Sequence, residues 1–314
     1  MFLIRPPTFQ GESLSSWRQR SGIANGFWRF PQKTVRYSIT DPDRFQSYED
    51  LTWLSDVFGT SVDQLEMMTL DQAVKPLITT RIELSKNHWL LPIGYKAKQT
   101  SSGPTFCPDC LASDNEPYFR LVWRLSFIAY CPTHRVQLRD RCNVCSKVVW
   151  PSSYLLITKK WINLRHCQNC GNDLTQGHNH QDHEFFHETS DALWKIYSEQ
   201  KTTLAQLGTV HSQEYFGALW AMCQIIMRRR SLQIQQHIPV LLHDPIYIPE
   251  NITTTISIVP LNIRIRIITA AVWLLQDWPY NFQKAIAQAK ITRTCLLQTK
   301  EPRPTWMTDI INQN

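Results

Sequence analysis

Apolar residues recur at helical spacing in two separate parts of the chain. The stretch LTWLSDVFGTSVDQLEMMTL carries apolar side chains on both sides of a polar turn at Gly59–Ser61, namely Leu51, Leu54, Phe58, Val62, Leu65 and Met68. This pattern predicts two short helices with the outline of a helix-turn-helix. Residues 190–278 contain three longer segments with the same period, SDALWKIYSEQ, YFGALWAMCQIIMRRRSLQIQQHI and LNIRIRIITAAVWLLQDW. We therefore expect a helical region toward each end of the chain.

The region between these segments is marked by cysteine pairs. Seven of the nine cysteines stand in C-x-x-C or C-x-x-H pairs, which are Cys107/Cys110, Cys131/His134, Cys142/Cys145 and Cys167/Cys170. A two-residue gap lets a tight turn present both ligands to one zinc ion, and a structural zinc ion takes four such ligands. Eight ligands therefore predict two structural Zn²⁺ sites, each closed by protein and without an open position for water or substrate.

The spacing of the pairs favours two consecutive zinc ribbons. The first and second pairs are separated by 20 residues and the third and fourth by 21, whereas only seven lie between the second and the third. Each ion would then be closed across one long hairpin, as in a duplicated ribbon. A cross-brace, in which the first and third pairs share an ion, is the alternative arrangement. Helical regions and ribbons together predict a mainly α protein with small zinc-ribbon β-hairpins: a helical, helix-turn-helix-like domain over residues 1–100, tandem ribbons over 101–176 and a helical domain over 177–314.

The distribution of charged residues indicates which segments could bind protein and which could bind nucleic acid. The formal net charge of +7 permits contact with nucleic acid without requiring it. From Leu51 to Gln72, however, the chain has four carboxylates and no Lys or Arg, so the predicted helix pair cannot neutralise phosphates. We interpret it as a surface that binds protein through Asp63 and Glu66, or as plain scaffold. The candidates for nucleic-acid contact are Arg228, Arg229 and Arg230, which also suit a helix C-terminus, and Arg264 and Arg266, which alternate with isoleucines.

Two further segments have a simpler interpretation. YFRLVWRLSFIAY, residues 118–130, is rich in large aromatic side chains and predicts core packing between ribbon and helices. His178, Asn179 and His180 spell HNH, but adjacent residues cannot form the spread constellation of an HNH nuclease. The opening MFLIRPPTFQ has no long apolar core, and no run of about 18 apolar residues occurs, so we expect a cytoplasmic protein without a membrane span.

The cysteine-rich segment resembles that of a known family. The run CPTHRVQLRDRCNVC, preceded by CPDC and followed by CQNCGNDL, resembles the paired zinc ribbon of the TniQ/TnsD family of transposon target selectors. ESLSSWRQRSGIANGF (Glu12–Phe27) and WLLQDWPYNFQKAI (Trp273–Ile286) are similar to other segments of that family. One departure is Ser146, where the third turn would usually carry a glycine.

This resemblance implies a non-catalytic adaptor. Such a protein joins a target-recognition module, either target DNA or a CRISPR Cascade effector with its guide RNA, to the AAA+ regulator TnsC, which recruits the transposase. It would act in the bacterial cytoplasm, at the nucleoid when engaged, with a second copy of the chain as a further possible partner. The moderate length favours the RNA-guided type.

Two other classes of function are alternatives. An autonomous zinc-containing DNA-binding regulator would read sequence through the helix pair and ribbons, against the acidity of that pair. A zinc hydrolase or deaminase would need an H-x-x-E-H, H-E-x-x-H or H-x-E…P-C-x-x-C motif, none of which occurs. We therefore expect no catalytic activity and no catalytic residues.

Overall fold

The computed structural model describes residues 3–26, 41–44, 48–78, 89–93, 103–151, 163–177, 184–228, 232–242, 246, 255–297 and 303–313. The chain divides into two compact units, Met1–Lys75 with Leu90–Gln181, and Pro76–Trp89 with Asp182–Asn314. The first unit contains the N-terminal helices together with the cysteine pairs, and the second contains the C-terminal helices. Helices are the main regular elements of both units, and the first unit also contains two Cys/His clusters that are consistent with zinc ribbons. These observations confirm the predicted fold class.

The first unit begins with the short helices α1 (Leu14–Ala24), α2 (Tyr48–Phe58), α3 (Val62–Met67) and α4 (Leu70–Val74), and continues to α5 (Pro108–Ser113) and a 3₁₀ turn at Leu121–Arg124. Helix α1 begins where the Ser13 hydroxyl accepts a hydrogen bond from the Ser16 amide. Helix α3 begins with a capping box between Ser61 and Gln64. Gly59 has a positive φ of 67° in the turn between α2 and α3. The predicted pair of helices is therefore present.

A small apolar core holds α1, α2 and α3 together. Its fully or nearly buried members are Leu14, Trp17, Leu51, Leu54, Phe58, Leu65 and Met68. Trp17 and Phe58 pack with ring centroids 4.7 Å apart. Burial of each large side chain contributes about 1.5–3 kcal/mol, so this cluster is the main apolar stabilisation of the three helices.

A buried ion-pair network ties α1 to the segment that precedes the second cysteine pair. Arg124 donates to Asp43 Oδ2 and to Asp41 Oδ2, both at 2.7 Å, and to the carbonyl of Leu91. Asp43 in turn accepts from the amide and hydroxyl of Ser15 in α1. Although burial opposes ionisation, the Arg124 guanidinium holds the pKa of Asp41 below its usual range, whereas burial raises the pKa of Asp43. The network links parts of the chain about 80 residues apart, since Arg124 lies 81 positions from Asp43.

A second buried pair fixes α1 against the same segment. Arg20 donates to both carboxylate oxygens of Glu12 at 2.8 Å, and its third nitrogen lies 2.8 Å from Glu116. Glu12 also accepts from the Ser16 hydroxyl, which accepts from the Phe119 amide. Backbone hydrogen bonds from Ser13 to Phe119 and from Leu121 to Gly11 complete the contact. The two networks make α1 and residues 116–125 parts of one structure.

The second unit is built around two long apolar helices. Its elements are α6 (Glu184–Glu199), β1 (Lys201–Leu204), β2 (Gly208–His211), α7 (Ser212–Met227), α8 (Leu232–Gln235), 3₁₀ turns at Pro239–Leu241 and Ile256–Ile258, α9 (Leu261–Leu275), α10 (Tyr280–Gln288), α11 (Arg293–Leu297) and α12 (Thr305–Gln313). Helices α7 and α9 pack against each other, and α6 and α10 pack on α9. Trp89 adds to this core by meeting Phe216 and Trp220 edge to face.

The prediction of a wholly helical C-terminal region was wrong at one place. Strands β1 and β2 form an antiparallel hairpin in which Lys201 pairs with His211 and Leu204 with Gly208. Their β-branched residues, Thr202, Thr203, Thr209 and Val210, favour strand over helix. Gln200, which directly follows α6, has a positive φ and ends the helix. Gly208, the first residue of β2, also has a positive φ, at the turn of the hairpin.

The Arg124 network gives a stability prediction. We expect Arg124→Met to lower the free energy of unfolding by roughly 3–5 kcal/mol, because it removes the guanidinium from the buried Asp43 and the half-buried Asp41. Urea denaturation followed by circular dichroism measures the change. Arg165→Met is the matched control, since Arg165 pairs with Asp173 at 2.8 Å in a more exposed place and should matter much less.

A charge-neutral partner mutation separates charge from packing. Adding Asp43→Asn to Arg124→Met should restore part of the lost stability, because one unpaired charge disappears. A loss in Arg124→Met no larger than in the control, or no recovery in the double variant, would show that the network does not stabilise the unit.

Candidate metal centres

The first and second cysteine pairs converge on one point. Cys107, Cys110, Cys131 and His134 place their ligand atoms within 4.8 Å of one another. Cys107 is the N-cap of α5, so its sulfur accepts from the Cys110 amide and the helix presents both thiols on one side. The other two ligands come from the turn Cys131–His134, where the His134 amide donates to Cys131 Sγ. The three cysteines are buried and the histidine is half-buried.

The third and fourth pairs form a second cluster. Cys142, Cys145, Cys167 and Cys170 also lie within 4.8 Å of one another. Amides of Val144 and Asn169 donate to the sulfurs of Cys142 and Cys167, respectively. The pairing is therefore sequential, first with second and third with fourth, and the cross-brace alternative is wrong. The two ribbons are joined where Arg139 and Asn143 both donate to the carbonyl of Gln176.

The distances within each cluster fit tetrahedral zinc. With Zn–S bonds of about 2.3 Å, two sulfurs on one ion lie about 3.8 Å apart, and a sulfur and a nitrogen about 3.5 Å apart. The Cys110–Cys131, Cys142–Cys170 and Cys145–Cys167 sulfur pairs lie at 3.6, 3.7 and 3.7 Å. His134 Nδ1 lies 3.2 Å from Cys110 Sγ and 3.7 Å from Cys131 Sγ. These separations are too long for disulfides and match the edges of a tetrahedron, so the clusters fit two structural zinc sites.

Three of the four turns share one backbone geometry. In each, the first cysteine amide donates to the carbonyl five residues later, and the amide four residues later donates back to the cysteine carbonyl. The residue in that fourth position has a positive φ in every case: Arg135 (55°), Ser146 (56°) and Gly171 (76°). Ser146 thus adopts the left-handed conformation that glycine would adopt without strain, and the ligand set is kept.

The electrostatics of the thiols suit a divalent cation. Hydrogen bonds from Cys107 and Cys110 hold the pKa of Cys131 well below its usual range. The same crowding raises the pKa of Cys110, and burial raises the pKa of Cys167 to about 12. Crowded thiols oppose one another's ionisation, because neighbouring negative charges repel. A bound zinc ion would compensate that charge and cross-link the two arms of each ribbon.

The predicted protein-binding residues lie on one surface. Asp63 is exposed and Glu66 half-exposed on α3, and the side chain between them that points inward is Leu65. Met67, four residues after Asp63, is 63% exposed. Residues three and four apart share a helix face, so Asp63, Glu66 and Met67 form a single acidic surface with an exposed apolar side chain. We call it the α3 face.

The arginines proposed for nucleic-acid contact have different environments. Arg264 is fully buried and donates to the carbonyl of Val259, so it cannot reach a phosphate on the surface, and that part of the prediction is corrected. The residues three, four and seven positions after it are Ile267, Ile268 and Ala271, and all three are buried. Helical periodicity alone therefore indicated that Arg264 lies on the buried side of the helix. Arg266 is half-buried.

Of the three consecutive arginines, only Arg228 lies within the described residues. Arg228 follows the last residue of α7 and is half-buried. Burial lowers the pKa of Arg303, and the charge of Arg228 lowers it further, so two cations approach each other here. Arg229, Arg230 and the segment His178–His180 lie outside the described residues.

The aromatic segment behaves as predicted. Phe119, Trp123, Phe127 and Tyr130 are each at most 3% exposed, which confirms core packing. Sequence reasoning missed the two ion-pair networks that this segment completes. The sequence did contain a signal for the Arg124 network. An arginine in the middle of an apolar run is expected to be buried, and a buried arginine needs a carboxylate partner.

None of the helices in the described part of the chain has the length and apolar character needed to cross a membrane.

The two clusters predict a specific metal content and a specific pattern of thiol reactivity. We expect two zinc ions per chain by elemental analysis, and one after either Cys107→Ser or Cys145→Ser, because each variant breaks one tetrahedron. Alkylation followed by mass spectrometry should find Cys110 and Cys131 reactive in the first variant, with Cys142 and Cys167 still protected. Reactivity of Cys142 in Cys107→Ser would contradict the sequential pairing.

Comparison with known proteins agrees with this geometry. The TniQ family model matches residues 3–138, a region that contains α1–α5, both ion-pair networks and all four ligands of the first cluster. Among curated proteins, none matched the chain. The match supports a role in transposition, in target selection or DNA binding, within a family of non-catalytic adaptors. Residues 3–138 thus carry a TniQ domain.

Proposed function

We propose that this protein is a non-catalytic adaptor in transposition, which joins a target-recognition module to the AAA+ regulator TnsC and through it to the transposase. The match of residues 3–138 to the TniQ family is the observation that carries the proposal. The target-recognition module is a CRISPR Cascade effector with its guide RNA or target DNA itself. The proposed place of action is the bacterial cytoplasm, at the nucleoid when the complex is engaged.

The chemistry of the metal centres supports an adaptor rather than an enzyme. A catalytic zinc ion keeps a position open for water or substrate. Each cluster here offers four protein ligands within 4.8 Å, so a bound ion would have its coordination complete. In this proposal the ions hold the ribbons in shape, and the chemical steps belong to the partner proteins.

The α3 face supports protein docking. From Leu51 to Gln72 the chain has no Lys or Arg, and Asp63 stands exposed beside the exposed Met67. A carboxylate next to an apolar side chain complements a basic protein surface with an apolar pocket. In the proposal this surface receives TnsC, a Cascade subunit or a second copy of the chain.

The rival function is an autonomous DNA-binding regulator that uses the helix pair and the ribbons. It predicts tight duplex binding by the isolated protein with a steep dependence on salt, through cations on α2 and α3 that the sequence lacks.

A targeted insertion assay tests the adaptor function. Deleting the gene should abolish insertion at the selected target while leaving transposase and TnsC intact, and complementation should restore it. Co-purification with TnsC and with the target-recognition module should accompany this. Targeted insertion at full frequency without the gene would contradict the proposal.

The α3 face can be tested by charge reversal. Asp63→Lys with Glu66→Lys should leave folding and zinc content unchanged, because exposed helix charges contribute little to stability, and should weaken partner association about tenfold or more. Pull-down with each partner and the insertion assay give the measurement.

The matched control is Glu188→Lys with Asp191→Lys. These carboxylates have the same i, i+3 spacing and are exposed on α6 of the other unit. The control should bind partners normally. If it weakens association as much as the α3 variant, net charge is responsible and the α3 face has no docking role.

A further inference from the structure

The second unit contains an exposed cationic surface outside the region that matches the TniQ model. Helix α10 turns Phe282, Ala285, Ile286 and the following Ala289 inward, and each is buried. Its opposite side exposes Tyr280, Lys284, Ala287 and Gln288, and Lys284 lies three or four residues from each of the other three. Tyr280 is 62% exposed, and Lys284 Nζ lies 5.8 Å from the centre of its ring.

The cationic character continues past the end of α10. Lys290 is exposed in a turn with a φ of 50°, and its amide donates to the carbonyl of Ala287. Arg293 is exposed at the start of α11 and donates to the neutral side chain of Asn312, which positions it without cancelling its charge. We call Tyr280, Lys284, Lys290 and Arg293 the α10 surface.

The segment that carries this surface has few acidic residues between the exposed Asp277 and Asp309 at its two ends. Between Asp277 and Asp309 the sequence has Lys284, Lys290, Arg293, Lys300 and Arg303, against Glu301 alone. Within the described residues no carboxylate pairs with Lys284 or Lys290. Cations gathered without counter-charges raise the local positive potential and favour an anionic ligand.

The surface rests on a rigid base. Trp278 stacks on Phe282 with ring centroids 5.2 Å apart and meets Trp306 at the same distance. This packing fixes the start of α10 and therefore the position of Tyr280. A ligand that binds here finds its aromatic and cationic partners already in place, which reduces the ordering cost of binding.

We propose that the α10 surface binds single-stranded nucleic acid, with an unpaired base stacking on Tyr280 and phosphates lying against Lys284, Lys290 and Arg293. An exposed aromatic ring beside backbone-neutralising cations is the combination that binds single strands without sequence readout. A membrane surface is a poorer occupant, because the apolar side of α10 is buried and cannot insert into lipid. The surface does not depend on the adaptor function or on the α3 face.

Fluorescence anisotropy with the full-length zinc-loaded protein tests this proposal. The probes are labelled oligothymidylate and oligouridylate, a duplex of equal length, and polyglutamate as a competitor without bases. Both single strands should bind with an affinity that falls with salt, the duplex should bind more weakly, and polyglutamate should compete poorly. Binding of duplex alone, equal competition by polyglutamate, or no binding to either single strand would overturn the proposal.

Variants assign the binding to named residues. Lys284→Ala with Lys290→Ala should weaken binding about tenfold and lower the slope of log affinity against log salt by about 1.4, the value for two lost phosphate contacts. Tyr280→Ala should weaken it about tenfold, whereas Tyr280→Phe, which keeps the ring, should bind normally. These side chains are exposed, so the folded protein and its zinc content should be unaffected.

The control removes the same charge from the same unit. Lys195→Ala with Lys201→Ala takes two exposed lysines from a place where Asp191 and Glu199 flank Lys195 on α6. The control should keep wild-type affinity and salt slope. If it weakens binding as much as the α10 variant, or if Tyr280→Ala binds like the wild type, the proposed surface is wrong. Loss of strand binding with intact TnsC association would separate this surface from the adaptor function.

Discussion

The first unit depends on the closing of one hairpin by four ligands. Cys107 and Cys110 lie on one arm and Cys131 and His134 on the other, and all four ligand atoms lie within 4.8 Å. The residues between the arms include Phe119, Trp123 and Arg124, which are buried against the N-terminal helices. A metal ion that holds the arms together therefore also holds the surface on which α1 is anchored.

Features that depend on residues close together in the sequence were predicted from the sequence alone. C-x-x-C and C-x-x-H pairs identified the ligands of both clusters, and apolar periodicity placed α2 and α3, because both signals are local. The choice between sequential ribbons and a cross-brace needed the three-dimensional structure. The Arg124 network was missed because its partners Asp41 and Asp43 lie more than 80 positions away. Arg264 was misread because its alternation with isoleucines was given more weight than its helical neighbours, which are buried.

The two exposed surfaces differ in their chemistry. The α3 face offers carboxylates and an exposed methionine, which suit a basic protein partner. The α10 surface offers cations and an exposed tyrosine, which suit a single strand. Binding at either surface needs no catalytic side chain. The proposed role of the metal ligands is to hold the ribbons in shape. The proposals therefore place protein binding on one unit and nucleic-acid binding on the other.

The most direct test concerns the dependence of the N-terminal helices on the first metal centre. Hydrogen exchange of the backbone amides in α1 and α2 should be compared between Cys107→Ser and Cys145→Ser. The account predicts a large loss of protection in α1 and α2 when the first centre is broken, and protection near wild type when only the second is broken. Wild-type protection of α1 and α2 in Cys107→Ser would contradict it.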